Sequence, residues 1–285
     1  MYDTIVIGSG PAGITAAIYL KRSNKNVLVV SKPGGAMAHD TLIDNYYGFP
    51  GGVTGSQLLD LGIKQAKDLG IEVISEEVIA IDKLTDFSVI TSKHTFESKT
   101  VILATGKARQ TLKIKGFNQF KGKGISFCVT CDGFFFRQKK LALVGYNDYM
   151  FHELKDMEYL TNDITIFTNG HELTVDVNYP VVKDIITEIK GDEFGVTHIL
   201  TADTHYDVQG IFVALGTPSA ADFATRIGAV VENGNLIVDQ DYQTNVEGLF
   251  ACGDAIGGVL QITKASNDGM QTAISLKKYL KNKTA

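Results

Sequence analysis

The chain has 285 residues, with 27 Lys and Arg against 32 Asp and Glu, which gives a formal net charge of −5 at pH 7. Apolar residues make up 44% of the chain and charged residues 21%. These values are ordinary for a globular protein, so they exclude a disordered, collagen-like or coiled-coil chain, and the length favours about two domains.

The sequence favours a cytoplasmic protein with no membrane or nucleic-acid partner. Its longest uncharged stretch, Thr4–Leu20, is interrupted by glycines and a proline and is shorter than the ~20 residues of a transmembrane helix. Asp3 stands where a signal peptide carries basic residues. No nucleic-acid-binding motif accompanies the basic residues.

Buried strands alternate with helical segments along the chain. Thr4–Gly8 leads through a Gly- and Pro-containing turn into the apolar-periodic segment Ile14–Leu20, and a second strand follows at Val27–Val30. This βαβ pattern builds parallel sheets. It recurs later, between strands at Leu141–Val144 and Ile164–Phe167. Other predicted elements are strands at Val101–Ala104, Ile211–Ala214 and Leu249–Cys252 and a closing helix at Asn267–Leu280. The pattern predicts an α/β protein with two Rossmann-like units.

The first turn carries the motif Gly8-Ser9-Gly10-Pro11-Ala12-Gly13. In such a motif Gly8 permits the tight turn, Gly10 lets the backbone approach a pyrophosphate, and Gly13 allows close packing of helix on strand. The alternative is a tight turn without a ligand. The acidic residue expected to bind a ribose is missing, because Ser31 occupies its region.

A second motif is Cys128-Val129-Thr130-Cys131-Asp132-Gly133. Two thiols at this spacing form a small disulfide ring that exchanges with other disulfides, and Asp132 is placed to move a proton. The alternative is a zinc site, but structural zinc takes four ligands and the chain offers no second C-x-x-C. The sequence therefore predicts redox chemistry and no metal.

A third motif ends the strand at Leu249–Cys252 with Gly253-Asp254. An aspartate here is able to accept a hydrogen bond from a ribityl-type hydroxyl, although the pattern alone is often a simple strand–loop turn. Cys252 lies in an apolar run, which predicts a packed and inert thiol.

Charge is concentrated in one segment. Between Lys107 and Lys140 the chain has nine basic residues and a single acidic one, Asp132. Either this is a solvated connector surface, or it docks an acidic partner by electrostatic steering. The basic residues are Lys107, Arg109, Lys113, Lys115, Lys121, Lys123, Arg137, Lys139 and Lys140.

These motifs, in this order over essentially the whole chain, resemble the low-molecular-weight thioredoxin reductases, a family of flavoproteins. The specific match is CVTCDGFFF between two dinucleotide folds. The resemblance implies an oxidoreductase that is a homodimer, with Cys131 facing the flavin, Cys128 attacking thioredoxin, and Asp132 as the acid/base. It implies FAD bound by Gly8, Ser9, Gly10, Pro11, Ala12, Gly13, Gly35, Met37, Asn45, Ala104, Thr105, Gly106, Gly253, Asp254, Gln261 and Ile262. The expected domains are a split FAD-binding domain, residues 1–110 and 241–285, and an inserted NADPH-binding-like domain, residues 111–240, that carries the disulfide.

The second βαβ unit departs from the family. The family has G-x-G-x-x-A where this chain has Gly145-Tyr146-Asn147-Asp148-Tyr149-Met150. Asn147 and Met150 add bulk, and Asp148 adds a negative charge where a phosphate would bind. The family's Arg-rich stretch for the 2′-phosphate is replaced by residues 167–172, which contain no Arg. In the flavin half, Leu260 replaces a frequent Arg. We therefore expect NADPH binding to be lost.

With this loss the chain most resembles the ferredoxin-dependent flavin thioredoxin reductases. That resemblance implies reduced ferredoxin, typically acidic, as the electron donor and thioredoxin as the substrate. Two alternatives stay open. One is an NAD(P)H-dependent thioredoxin reductase with an atypical nucleotide site, and the other is a non-catalytic redox-sensing flavoprotein.

Overall fold

The computed structural model describes residues 1–34, 37, 42–106, 114–127, 129–216 and 218–283, and at residues 130 and 131 it describes the backbone alone. The chain divides into two compact units: Met1–Ala108 with Ser219–Ala285, and Arg109–Pro218. We call these the first and second units. Each is built on parallel strands with crossover helices, which confirms the predicted fold class of two Rossmann-like units, the second inserted into the first.

The first unit begins with a strand–helix–strand and returns after the insertion with a strand and a long helix. Its elements are β1 (Tyr2–Ile7), α1 (Pro11–Arg22), β2 (Val27–Val30), β3 (Leu42–Ile43), β4 (Val53–Thr54), α2 (Gly55–Asp68), β5 (Glu72–Ile74), β6 (Val78–Lys83), β7 (Phe87–Thr91) and β8 (Thr95–Leu103) before the insertion.

The second unit follows a similar plan with a small antiparallel addition. Its elements are α3 (Phe117–Phe120), β9 (Ile125–Ser126), α4 (Val129–Asp132), β10 (Leu141–Gly145), α5 (Asp148–Met157), β11 (Ile164–Phe167), β12 (Val181–Val182), β13 (Glu188–Asp192), β14 (Gly195–Leu200), β15 (His205–Asp207) and β16 (Gly210–Ala214). The chain then completes the first unit with α6 (Ala220–Arg226), β17 (Val231–Glu232), β18 (Asn235–Leu236), β19 (Leu249–Ala251) and α7 (Ile262–Lys283).

Among the described residues, the sheet of the first unit has the order β5-β2-β1-β8-β7-β6, with β19 paired to β8. The pairs β1–β2, β1–β8, β2–β5 and β8–β19 are parallel, so the carboxyl ends of these strands lie at one edge. In the second unit the order β12-β11-β10-β16-β9 is parallel throughout. Ligands of open parallel sheets bind outside the carboxyl edge.

The side chains along β1 alternate between two apolar clusters, one on each face of the sheet of the first unit. Ile5 and Ile7 pack into the apolar cluster on one face and Val6 packs into the cluster on the other. Successive strand side chains point to opposite faces. Runs such as Val27–Val30, buried throughout, are therefore expected in such a sheet.

Local signals set the helix boundaries. Pro11 is the first residue of α1, a position where the missing N–H costs nothing. Thr54 and Gln57 form a capping box at the start of α2. The closing helix begins at Ile262 rather than the predicted Asn267, because Ala265 in its first turn packs into the core.

The second unit ends earlier than the predicted boundary at residue 240. Residues from Ser219 onward belong to the first unit, because Ala220, Phe223 and Ala224 of α6 are buried in the cluster that contains Ile5. Arg226 also bonds Asp82 Oδ1 through Nε at 3.2 Å. These contacts are made with residues far away in the sequence, so the sequence of residues 219–240 does not predict them.

No helix within the described ranges has the length and apolar character needed to cross a membrane.

Candidate functional site

The turn between β1 and α1 is held tightly against the end of β8. Gly8 has φ +115°, and a Cβ there would lie 2.3 Å from the carbonyl oxygen of Ala104. A Cβ on Gly13 would lie 2.0 Å from the carbonyl oxygen of Gly8. Both positions therefore require glycine, Gly8 for the turn and the strand contact and Gly13 for the packing of helix against turn.

The start of α1 is open toward a ligand. Gly10 is the N-cap residue, with no side-chain hydrogen bond to the helix, and a Cβ on Gly10 would meet nothing within 4 Å. Its φ of −71° suits any residue. The protein's own packing thus does not explain glycine here, whereas a pyrophosphate against the N-terminal amides does. The described residues fit the pyrophosphate of a dinucleotide such as FAD.

The third motif lies beside the first. A Cβ on Gly253 would approach the Ala12 side chain to 2.8 Å, so the loop after β19 borders the start of α1. Asp254 is half-buried in this loop. Farther along, the side-chain nitrogen of Asn45 lies 3.4 Å from Gln261 Oε1. The structure thus brings predicted cofactor residues from distant parts of the sequence together, Gly253 beside Ala12 and Asn45 beside Gln261.

The other predicted cofactor residues have simpler surroundings. Ala104 is buried at the end of β8, Thr105 is exposed, and Met37 is half-buried in a turn. Ser9 Oγ donates to Ser31 Oγ at 2.9 Å, so the residue that replaces the expected acid is bonded within the motif. Gly35 lies outside the described residues. Of the remaining positions, Pro11, Ala12 and Ile262 lie at the starts of helices, and Gly106 lies in the loop three residues after β8.

A charged pair on α7 holds the third motif and was missed at the level of sequence. Lys264 Nζ lies 2.7 Å from Asp268 Oδ2 and donates to the carbonyl oxygens of Gly253 and Gly257 at 3.0 and 2.6 Å. Asp268 accepts from the Gly253 amide at 3.2 Å. The i,i+4 spacing signals the ion pair, but its contacts with the loop are visible only in the structure.

Cys252 is confirmed as a packed thiol. Its residue is 0% exposed. Burial, together with the nearby Asp268 carboxylate, raises the pKa of the Cys252 thiol to about 12. A thiol that stays protonated near neutral pH is a poor nucleophile, so Cys252 is chemically inert.

The corresponding turn of the second unit is filled by its own side chains. Asn147 caps α5, with Oδ1 accepting from the Met150 amide at 3.3 Å and Nδ2 donating to the Gly216 carbonyl at 2.7 Å. Met150 is 0% exposed and packs on Gly145, where a Cβ would lie 2.5 Å from the Cβ of Met150. The amide that a phosphate would use is therefore already bonded by Asn147.

Aromatic and acidic residues border this closed turn. The rings of Tyr146 and His171 stack at 4.2 Å, and the amide and hydroxyl of Thr174 both donate to the Tyr146 carbonyl. Lys183 Nζ lies 3.5 Å from Glu172 Oε2. In the described part of this border, the Lys183 ammonium group thus lies against a carboxylate, which would compete with a 2′-phosphate for it.

The C-x-x-C segment lies in the second unit. Cys128 is outside the described residues, and Cys131 lies in the short helix α4, described by its backbone. Asp132 is half-buried and accepts a 2.6 Å hydrogen bond from Ser126 Oγ at Oδ2. The carboxylate next to Cys131 is thus held by the end of β9.

Exposed aromatic and basic side chains follow α4. Phe134 and Phe135 are each 70% exposed, and the Arg137 guanidinium lies over the Phe134 ring at 5.1 Å. Of the predicted basic segment, Lys107, Arg109 and Lys113 lie outside the described residues. Lys115 pairs with Glu188 at 2.9 Å. The exposed members in the described part are Lys115, Lys121, Lys123, Arg137 and Lys140. This combination is typical of protein-binding surfaces.

Comparison with known proteins gives consistent matches. The family model described as pyridine nucleotide-disulphide oxidoreductase matches residues 2–146 and 173–269. A thioredoxin reductase from Aquifex aeolicus is 32% identical, over 99% of this chain and 94% of its own length.

Two crystal structures are similar over nearly the whole chain. The atypical thioredoxin reductase TRi from Desulfovibrio vulgaris Hildenborough is 30% identical, with a TM-score of 0.92 and 99% of each chain covered. A ferredoxin-flavin thioredoxin reductase from Clostridium acetobutylicum is also 30% identical, with a TM-score of 0.71 and 98% of each chain covered.

Proposed function

Because the chain belongs to the pyridine nucleotide-disulphide oxidoreductase family, and within it to the thioredoxin reductases, we propose that it reduces thioredoxin with electrons from reduced ferredoxin rather than NADPH. The observation that carries the choice of donor is the closed turn of the second unit. Asn147 bonds the Met150 amide there and Met150 fills the space beside Gly145.

FAD is the cofactor, and when bound it supplies a carrier that accepts single electrons and passes them on as a pair. We propose that the open start of α1, with Gly8, Gly10 and Gly13, holds the pyrophosphate. Asp254 would accept a hydrogen bond from the ribityl chain, in a loop that Lys264 and Asp268 fix by their backbone contacts. Asn45 and Gln261, which lie 3.4 Å apart, would contact the ring system.

The dithiol step would use Cys128, Cys131 and Asp132. Two electrons and two protons convert the Cys128–Cys131 disulfide into two thiols, and Cys131 is proposed to receive the pair. The Cys128 thiolate then attacks one sulfur of the thioredoxin disulfide, which breaks that disulfide and forms a mixed disulfide between Cys128 and thioredoxin. Cys131 attacks the Cys128 sulfur, the mixed disulfide breaks, the Cys128–Cys131 disulfide re-forms, and thioredoxin leaves as a dithiol. Asp132, held by Ser126, would accept and return the proton.

Two observations support proteins as both the electron donor and the electron acceptor. Phe134 and Phe135 offer apolar area beside the C-x-x-C segment, which suits thioredoxin docking. Lys121, Lys123 and Lys140 are exposed cations, which suit an acidic donor such as ferredoxin. The similarity to a ferredoxin-flavin thioredoxin reductase supports the same donor.

The test is an anaerobic titration of the FAD-loaded protein with oxidised thioredoxin in excess. NADPH, NADH and photoreduced ferredoxin are offered separately, and flavin absorbance and thioredoxin thiols are measured. We expect bleaching and thiol formation with ferredoxin alone. Rapid reduction by NADPH or NADH would instead show a nucleotide-dependent reductase. Flavin reduction without thioredoxin thiols, for every donor, would favour a redox sensor.

We also propose a cytoplasmic homodimer, which rests on the family resemblance. Sedimentation equilibrium of the FAD-loaded protein tests the assembly. A mass equal to one chain at all concentrations would contradict it.

A further inference from the structure

A short loop of the second unit, residues 168–174, turns back at the end of β11 and is not used by the chemistry described above. We call it the β11 loop. Asn169 and Gly170 have φ of +52° and +83°, and two positive φ values in succession are typical of a tight reversal for which Asn-Gly is a favoured pair. The His171 amide closes this reversal by donating to the Thr168 carbonyl at 3.1 Å.

The β11 loop is fastened to the turn that follows β10. The imidazole ring of His171 stacks on the Tyr146 ring, with 4.2 Å between the centroids and 20° between the planes. Thr174 donates twice to the Tyr146 carbonyl, from its amide at 2.9 Å and from its hydroxyl at 3.1 Å. Because β10 and β11 are neighbouring parallel strands, these contacts cross the carboxyl ends of both.

The end of β11 is the place where a Rossmann-like unit receives a ribose. In such a unit the pyrophosphate lies at the start of the helix after the first strand, and a residue at the end of the second strand bonds the ribose. Thr168, which directly follows β11, is 0% exposed, and its hydroxyl has no hydrogen-bond partner in the described ranges. Ser31, at the matching position after β2, is half-buried. The end of β11 is therefore covered more fully than the end of β2.

We propose that His171 is a specificity-determining residue: its ring, stacked on Tyr146, closes the ribose position of the second unit against the adenosine end of a pyridine nucleotide. This barrier is separate from Asn147 and Met150, which close the phosphate position at the start of α5. The proposal rests on the proposed function in one respect, the rejection of NADPH, and is independent of ferredoxin.

The barrier acts through the free energy of opening. A nucleotide whose ribose enters beside β11 must first separate the two rings and lose the contact between them. The observed affinity of a ligand falls with the fraction of molecules that are open to it. Replacing His171 with alanine removes the ring and keeps the Asn169-Gly170 reversal, so the open fraction should increase.

The test uses the two halves of a nucleotide as separate probes of the FAD-loaded protein. AMP carries adenosine and a phosphate, whereas nicotinamide mononucleotide carries a phosphate without adenosine. The phosphate position is first opened by Asn147→Gly combined with Met150→Ala. In this background His171→Ala should raise the affinity for AMP about tenfold and leave the affinity for nicotinamide mononucleotide unchanged.

Ligand-observed NMR titrations give both affinities. Any AMP that binds to the first unit is common to all variants, because every substitution lies in the second unit. An AMP affinity that does not change, or that stays undetectable in both proteins, would overturn the proposal. An equal gain for nicotinamide mononucleotide would show that the β11 loop closes the phosphate position instead. A loss of AMP affinity would show that the rings bind adenine rather than exclude it, and the proposal would also fail.

Two control variants in the same background separate ring stacking from other effects. His171→Phe keeps a ring in place and should leave the AMP affinity near that of the background. His205→Ala removes another exposed histidine of the second unit, in β15, and should change neither affinity. If His171→Phe raises the AMP affinity as far as His171→Ala, stacking is not the cause and the proposal is wrong.

The outcome is separable from that of the proposed function, because neither ferredoxin nor thioredoxin takes part in these titrations. Ferredoxin that fails to reduce the flavin would overturn the donor and leave a gain in AMP affinity standing. Flavin reduction by ferredoxin alone, without a gain in AMP affinity, would leave the donor standing and exclude His171 as a barrier.

Discussion

In the first unit the turn after β1 leaves the start of α1 without a side-chain cap, while in the second unit Asn147 caps α5 from the matching turn after β10. Both turns follow a central parallel strand, and both keep a glycine at the end of the strand or directly after it. A Cβ on Gly8 would strike Ala104, and one on Gly145 would strike Ala214 and Met150. Packing therefore requires a glycine in both turns. The turns differ in whether a side chain caps the helix that follows.

The comparison shows that a dinucleotide fold and a dinucleotide site have separate causes. The fold needs close packing between strand, turn and helix, which both units have. The site needs helix amides and space that no side chain occupies. A Cβ on Gly10 at the start of α1 meets nothing within 4 Å, whereas Asn147 bonds the Met150 amide at the start of α5. An asparagine cap stabilises a helix by about 1 kcal/mol over an alanine and by a few tenths of a kcal/mol over a glycine at the same position, so the Asn147 cap also has a structural benefit.

The largest expected effect comes from the dithiol that only the second unit carries. Cys128→Ser should lower thioredoxin reduction by at least about a thousandfold, because serine oxygen does not exchange with a disulfide. FAD should stay bound, since its cradle is in the first unit. Turnover and flavin absorbance are measured together, and retained turnover would exclude Cys128 as the attacking thiol.

A second change makes the first turn imitate the second. Gly10→Asn places a capping side chain where a Cβ meets no protein atom, so the apoprotein should keep its stability within about 0.5 kcal/mol. FAD affinity should fall about a hundredfold, because the new side chain takes the amides and space of the pyrophosphate. Flavin fluorescence on dilution gives the affinity, and urea unfolding of the apoprotein gives the stability.

The matched control for that change is Gly13→Ala. Its Cβ would lie 2.0 Å from the Gly8 carbonyl oxygen, so it should destabilise the apoprotein itself by roughly 2–3 kcal/mol. Equal stability losses in the two variants would show that Gly10 is also a packing glycine.

A smaller effect is expected from opening the second turn. Asn147→Gly combined with Met150→Ala frees the Met150 amide and removes the bulk beside Gly145, so NADPH affinity should rise about tenfold from a very weak level. Isothermal titration of the FAD-loaded protein gives the affinity. Asn147→Asp is the control, because aspartate caps α5 equally well and should leave binding undetectable. A gain in this control would mean that the cap does not close the site.

The smallest effect is expected at the thiol of the first unit. With a pKa of about 12, only about one Cys252 thiol in ten thousand is ionised at pH 8. Native protein reduced by dithiothreitol should therefore incorporate two alkyl groups, at Cys128 and Cys131, and a third only after unfolding. Cys252→Ala should leave turnover unchanged. Rapid alkylation of native Cys252 would contradict its burial.

Much of the fold was predictable because its signals are local. Val27–Val30 and Ile164–Phe167 were predicted with the bounds they have, since a short β-branched run between turn residues describes a strand buried on both faces. Gly8 and Gly13 were predictable because the motif G-x-G-x-x-G requires a glycine at each position, although the atom that excludes a Cβ at Gly8 belongs to Ala104, far along the sequence. The compact unit ends at Pro218 rather than at the predicted residue 240, because Phe223 is buried among residues far earlier in the chain.

The sequence by itself determined that this chain has two dinucleotide folds, a C-x-x-C and a second turn with bulky and acidic residues at the positions of a phosphate-binding motif, since each follows from the sizes and charges of neighbouring residues. Tertiary structure alone decided that Lys264 and Asp268 hold the Gly253 loop, that Asn147 reaches the Gly216 carbonyl, and that Thr174 bonds the Tyr146 carbonyl. Those contacts join groups that only the packing of helices on sheets brings within hydrogen-bond distance, and no local pattern encodes them.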